Sequence, residues 1–361
     1  MISTTSTAPA TAPVIRTQGL TKQFTSRKQT VDAVRGLDLR VDEGELVALL
    51  GPNGAGKSTT LRMLTTLLPP TAGTAQVAGF DITRQRSAVR ARIGYIGQGN
   101  GAGQSQRGRD ELLSQGRCYG MSRAATAARA DELIASLDLT GVADRKVSTM
   151  SGGQRRRLDI ALGLVHSPRL LFLDEPSTGL DPQNRVNLQE HVRALRARHG
   201  TTVVLTTHYL DEADALAERV IIIDHGQLIA DDTPAGLKAR HADSELVLAF
   251  DDAADAQRAA DRLRQHVPDR PARIEPVPDP SGARRPPGAQ VVLRAADAPR
   301  LLPRLLRDLE EAGLAPAAAT AASPTLDDVF LSLTGRSLRD AGGAESADAD
   351  AADANAKETP A

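Results

Sequence analysis

The chain has 361 residues, with 44 Lys and Arg set against 45 Asp and Glu for a formal net charge of −1. That balance removes any bulk-charge argument for a polyanionic partner, and no nucleic-acid partner is expected. A lone Cys118 rules out an internal disulfide, and no run of about 18 apolar residues is present to cross a bilayer.

Residues 1–13, MISTTSTAPATAP, lack the basic start and apolar run of a secretion signal and read as a flexible leader. From Val14 to about Arg240, apolar runs alternate with helical patterns, as in a mostly parallel α/β sheet. LVALL (46–50), RLLFLD (169–174), TVVLTT (202–207) and VIIID (220–224) are the strand candidates. Several are apolar throughout, as strands covered on both faces should be. Between Arg107 and Val147 helical signals dominate, as in AATAARADELIASLDL, so a helical insert over about 107–160 is expected beside the sheet. After Arg240, SELVLAF, AADAQRAADRLRQH, ARIEPV, QVVLRA, APRLLPRLLRDLEEAGL and PAAATAA follow as strand, helix, strand, strand, helix, strand. That order predicts a small ferredoxin-like accessory domain over 241–335, interrupted by the loop PDPSGARRPPGA. A last helix is expected in TLDDVFLSLTG, with Thr325 as N-cap and Asp328 in its first turn. The segment 336–361 has the composition of a disordered tail.

The chemistry starts at LVALLGPNGAGKSTTLRML: an apolar strand, a loop fitting G-x-x-x-x-G-K-[ST], and an apolar-periodic helix. The loop comprises Gly51, Pro52, Asn53, Gly54, Ala55, Gly56, Lys57, Ser58 and Thr59. Backbone N–H groups of Gly54, Gly56, Lys57 and Ser58 would cradle β-phosphate oxygens, Lys57 would reach a γ-phosphate, and the Ser58 hydroxyl would hold Mg²⁺. RLLFLDEP then delivers Asp174 and Glu175 at the carboxyl end of a buried strand. Asp174 suits the magnesium shell, and Glu175 suits polarising the attacking water.

Four single residues fit the same reaction. Gln98, ending RIGYIGQ, offers a neutral amide to magnesium or water and links the sheet to the insert. His208, just past TVVLTT, offers a hydrogen bond to a γ-phosphate. Asp181 in STGLDP lies on a turn suited to contact across an interface, and Phe24 in LTKQFTS offers a π-face to adenine. Taken singly they are equally a surface amide, a loop histidine, a turn former and a core aromatic.

MSGGQRRRLDIA (150–161) places Ser151, Gly152, Gly153 and Gln154 at a helix start, a second seat for a phosphate. One loop contacts only part of a nucleotide. Two copies facing head to tail about a two-fold axis would close the second seat of one over the γ-phosphate held by the other. Two strings are set aside. Asp211–Asp214 of HYLDEADAL opens a helix, where acids suit the dipole, and Arg155–Arg157 reads as a solvated or ion-paired helix face.

The ordered set GPNGAGKST, GQ, MSGGQ, LLFLDEP, STGLD and TTH resembles the nucleotide-binding subunit of ATP-binding-cassette (ABC) transporters over roughly residues 14–240. RRRLDIA and PTLDDVFLSLTGR further resemble ATPase subunits of daunorubicin-resistance-type drug exporters. The resemblance implies an α/β P-loop NTPase fold with a helical subdomain, followed by the small α+β domain. It implies ATP and Mg²⁺ as cofactors, with Ser58, Gln98 and Asp174 at the metal and Glu175, His208 and Gln98 in catalysis. It also implies a head-to-tail ATP-dependent dimer on the cytoplasmic face of the cell membrane, driving a separate integral-membrane permease that exports a drug-like compound. The rival readings are an importer subunit and a soluble ATPase of the same superfamily acting on DNA or ribosomes, which would need a long coiled-coil insertion or tandem cassettes. One segment departs from the family pattern: NGAGQSQRGRDELL is glycine-rich after Gln98. There Gly108, Arg109 and Asp110 keep only part of a threonine-glycine-arginine-glutamate turn.

Overall fold

A computed structural model describes residues 13–26, 29–99, 101–266, 272–276, 288–295 and 298–337. The expected leader apart from Pro13, most of the PDPSGARRPPGA loop, and the expected tail from Leu338 onward lie outside the described residues. The chain divides into two units at Pro234 and Ala235.

In chain order the first unit contains β1 (Ile15–Ser26), β2 (Gln29–Leu37), β3 (Arg40–Val41), β4 (Leu46–Leu50), α1 (Lys57–Leu64), β5 (Ala72–Val77), β6 (Phe80–Asp81), α2 (Arg86–Arg90) and β7 (Ile93–Ile96). Helices α3 (Gly108–Cys118), α4 (Arg123–Ser136) and α5 (Gly152–Leu164) follow, then β8 (Leu170–Asp174), α6 (Pro182–His199), β9 (Thr202–Thr207), α7 (Leu210–Leu216), β10 (Arg219–Asp224) and β11 (Gln227–Asp232). A helix α8 (Pro234–His241) spans the division.

The central sheet has the order β11-β10-β4-β9-β8-β7. Every pair in it is parallel except β10 with the edge strand β11. Each residue of β4, β8 and β9 is buried, which is why these strands are continuous apolar runs rather than alternating ones. Parallel alignment brings the carboxyl ends of β4, β7, β8 and β9 to one edge, where a doubly wound sheet binds its ligands. A second sheet, β2-β1-β5-β6 with β3 on β1, is antiparallel throughout. Helix α1 buries Leu61, Met63 and Leu64 in the core shared with Val34, Val47, Leu49 and Phe172. Burying each such leucine is worth about 2 kcal/mol. The expected helical insert is α3 and α4, which run into α5; Arg109 joins α3 to Asp131 of α4 and lies 3.2 Å from Asp144.

The second unit contains β12 (Ser244–Phe250), α9 (Ala253–His266), β13 (Arg273–Pro276), β14 (Ala289–Ala295), α10 (Ala298–Glu311), β15 (Ala318–Ala322) and α11 (Leu326–Thr334). Its sheet is antiparallel in the order β13-β14-β12-β15. Strand β12 alternates buried and half-buried residues, and its inward Leu246, Leu248 and Phe250 pack with Ala256, Leu263, Leu305 and Leu309 of the two helices. Thr325 caps α11: its side chain accepts from the Asp328 N–H, and Asp328 Oδ2 accepts from the Thr325 N–H at 2.8 Å.

Candidate nucleotide site

The loop after β4 is shaped by close backbone approaches. Gly56 has φ of 99°, and a Cβ there would collide with the Ala33 carbonyl of β2; one at Gly51 would collide with the Ile223 carbonyl of β10. Only glycine suits both constraints at Gly56. Gly56 also serves as N-cap of α1 without any side-chain cap, so the orphan N–H groups of the first turn remain available to an anion. Lys57 is 4% exposed, and its Nζ donates to the carbonyls of Gly51 at 2.7 Å and Pro52 at 2.8 Å. Burial pushes its pKa down, and the Glu175 and Asp174 carboxylates push back.

The metal-binding residues expected from the sequence converge. Asp174 is fully buried at the end of β8, and its Oδ1 accepts from Ser58 Oγ and from Thr206 Oγ1, both at 2.7 Å. Gln98 Nε2 lies 3.4 Å from the same Ser58 oxygen. Hydroxyl, carboxylate and amide oxygens are the hard donors that a magnesium ion takes, so this set fits the ion. Two residues here escaped the sequence reading: Thr206, and Tyr95, whose hydroxyl lies 3.4 Å from Asp174 Oδ2. The signal for Thr206 was the pair of threonines closing TVVLTT; parallel pairing sets Asp174 directly opposite it.

Glu175 turns the chain out of β8 with φ of 46°, a left-handed conformation unusual for a residue with a side chain. Its N–H is held by Thr206, 2.9 Å from Oγ1. Its carboxylate has one oxygen 3.9 Å from Lys57 Nζ and the other 3.5 Å from His208 Nδ1 and 3.3 Å from Thr178 Oγ1. His208, with help from Lys57, holds the Glu175 carboxyl below the usual carboxylate range against the opposing pull of burial. Gly51–Thr59, Gln98, Asp174, Glu175 and His208 therefore form one cluster.

Ser151–Gln154 form a different one. Ser151 caps α5 in a reciprocal box: Gln154 N–H donates to Ser151 Oγ at 3.3 Å and Ser151 N–H to Gln154 Oε1 at 2.9 Å. A Cβ at Gly153 would collide with Asn184, whereas one at Gly152 would meet nothing within 4 Å. Asn184 in turn donates through Nδ2 to Asp181 Oδ2 at 2.6 Å, and its N–H donates to Asp181 Oδ1 at 2.9 Å. Within the chain Asp181 is the N-cap of α6, followed by Pro182 at the first helical position. Phe24 is 43% exposed under the Lys22 ammonium, 5.3 Å from the ring centre. It pairs with Val31, two residues before the Ala33 that abuts Gly56, so it is no core aromatic.

The arginine run is not a uniformly solvated face. Arg156 is buried, donating to the carbonyls of Pro176 at 2.8 Å, Gly97 at 2.7 Å and Asp174 at 3.3 Å. It was missed because three consecutive arginines look alike in sequence, and only the helix register turns the middle one inward.

A glycine loop between strand β4 and helix α1, with an acidic pair at the end of parallel β8 on the far side of β9, defines a P-loop nucleoside triphosphatase. The chain belongs to the ABC transporter family, whose model matches residues 34–178. It is 43% identical to the daunorubicin/doxorubicin resistance ATP-binding protein DrrA of Streptomyces peucetius, across 92% of this chain and 96% of that one. It is 42% identical to the Nod factor export ATP-binding protein I of Paraburkholderia xenovorans, across 63% of this chain and 74% of that one. Among solved structures, it is similar to the dimeric post-hydrolysis state of the ATP-binding cassette MJ0796 bound to ADP and phosphate. That likeness has a TM-score of 0.56 at 25% identity and covers 61% of this chain and 98% of that one. The chain is thus an ATP-hydrolysing enzyme.

Proposed function

We propose that the chain is the ATPase subunit of an exporter of drug-like or antibiotic compounds. It works as a head-to-tail pair on the cytoplasmic face of the membrane and drives a separate integral-membrane permease. The resistance and export named for its relatives support the direction of transport. No helix among the described residues is long and apolar enough to cross a membrane, which is consistent with a separate permease taking up the stroke.

Lys57 and the N–H groups of Gly54–Ser58 bind the β- and γ-phosphates, and Phe24 stacks on adenine. Ser58, Asp174 and Gln98 hold Mg²⁺, which when bound neutralises phosphate charge. Glu175, kept ionised, accepts a hydrogen bond from water and directs its oxygen at the γ-phosphorus, while His208 hydrogen-bonds the γ-phosphate. Ser151, Gly152, Gly153, Gln154 and Asp181 act on the nucleotide of the partner. The C-terminal residues 241–335 form a ferredoxin-like accessory domain that supports dimerisation or regulation.

The observation that carries the paired arrangement is the open space over Gly152 at an exposed helix start. A defined heterodimer tests it, with Lys57→Ala in one copy and Ser151→Glu in the other. If the turn serves the partner, one site carries both lesions and the other is whole, giving one occluded ATP per heterodimer. No occluded nucleotide in an assembled heterodimer would sink the shared site.

A further inference from the structure

Helix α5 grips the chain on both sides of Gln98. Its far end lies directly on β7: a Cβ at Gly94 would collide with the Gly163 carbonyl, and one at Gly163 would lie 2.8 Å from Ile96 Cδ1. Past the strand, the Arg156 guanidinium holds the Gly97 carbonyl at 2.7 Å. Beyond Gln98, Asp159 Oδ1 accepts the N–H groups of Gly101 at 3.0 Å and Ala102 at 3.1 Å. Arg156 and Asp159 are three residues apart and so share a helix face. Asp159 is only 3% exposed. Both of these backbone N–H groups fall on Oδ1, while Oδ2 is buried without a hydrogen-bond partner among the described residues; burial pushes the Asp159 pKa up, and the two N–H groups and the nearby Arg156 oppose that. A Cβ at Gly101 would sit 3.3 Å from Asp159 Oδ1, so the glycine leaves room for the carboxylate at its own N–H.

We propose that Asp159 is a positioning residue for ATP turnover, which with Arg156 fastens the Gln98 segment to α5. Gln98 beside the chain's own nucleotide and the Ser151–Gly153 turn offered to the partner then move as one body. The proposal rests on the roles given above to Gln98 and to that turn. Its physical content is a linkage in one helix between the state of one nucleotide seat and the position of the lid over the other.

Hydrogen exchange and steady-state ATP turnover of the full chain test it, in Asp159→Ala, Asp159→Asn, Gln98→Ala and the double variant of Asp159→Ala with Gln98→Ala. In Asp159→Ala, exchange of the Gly101 and Ala102 amides should quicken by about tenfold or more, and kcat should fall about tenfold, with KM within about twofold of the parent. Asp159→Asn keeps an oxygen that can accept both N–H groups and should retain at least about half of kcat. The double variant should be no slower than Gln98→Ala alone. Unchanged exchange in folded Asp159→Ala, losses that multiply in the double variant, or full kcat in Gln98→Ala would each overturn the proposal. Full turnover in Lys57→Ala would instead overturn the assignment of the nucleotide seat itself. Should the alanine variant not fold, Asp159→Thr, too short to reach both N–H groups, replaces it under the same criteria.

Discussion

His208 Nδ1 stands 3.5 Å from one oxygen of Glu175, while the other oxygen stands 3.9 Å from Lys57 Nζ. A carboxylate flanked by two basic groups keeps its charge, and a charged oxygen at a strand end is what an attacking water needs. Glu175→Gln preserves the shape and loses the charge. Turnover should fall by about 10²-fold or more while ATP still binds, and an ATP-bound dimer should accumulate on a sizing column. Turnover near the parental rate would remove Glu175 from that role.

Glu212, in the first turn of α7, is fully buried, and neither carboxylate oxygen has a hydrogen-bond partner among the described residues; burial pushes its carboxyl pKa up. The folded state therefore binds this proton more tightly than the unfolded chain does. The protonated form is stabilising below the ordinary carboxylate pKa, and that contribution is lost as pH rises through the raised folded value. Glu212→Gln has no proton to lose, so its melting temperature should decline less steeply than that of the parent over this window. Parallel melting profiles would assign the slope to other groups.

The two units have separate cores, one built around Leu49, Phe172 and Val204 and the other around Leu248, Val291 and Leu305. A chain ending at Arg240 should therefore bind ATP within about threefold of the full chain, while dimerisation or coupling weakens. Complete loss of binding in a folded truncation, measured by calorimetry, would refute this division of labour.

What was legible in the sequence was whatever depends on local chemistry. LVALL and TVVLTT coincide with β4 and β9 because strands buried on both faces must be apolar throughout, and the phosphate loop is identifiable because only certain residues allow its backbone path. What was not legible depends on register and burial. The inward turn of Arg156, the pairing of Thr206 with Asp174 and the left-handed backbone at Glu175 are set by elements far apart in sequence. Asp181 lies between these cases: Asp-Pro is a helix-start signature, and the cap on α6 could have been named beside the expected interface contact.

Gly153 ties the helix start of α5 to Asp181 through Asn184. A Cβ at Gly153 must displace the Asn184 side chain, which holds Asp181 Oδ2 at 2.6 Å. Gly153→Ala should cost about 1–3 kcal/mol of stability by overpacking. Adding Asn184→Ala should recover part of it, since the clashing amide is gone. Denaturant melts of the single and double variants measure this, and strictly additive losses would contradict the contact.

Gly152 separates folding from function. It is the first residue of α5, its φ is not positive, and a Cβ there meets nothing within 4 Å. Alanine is a better helix former than glycine by up to about 1 kcal/mol, so Gly152→Ala should melt no lower than the parent. If that space receives the γ-phosphate of the partner's ATP, the added methyl should cut turnover by about tenfold or more and weaken ATP-dependent dimerisation, leaving ATP binding by the monomer intact. Both halves of this outcome are needed. A destabilised variant would mean that the space is filled from within the same chain. A stable variant with parental turnover would mean that no nucleotide approaches this turn, and the helix start at Ser151 would then be a capped helix and nothing more.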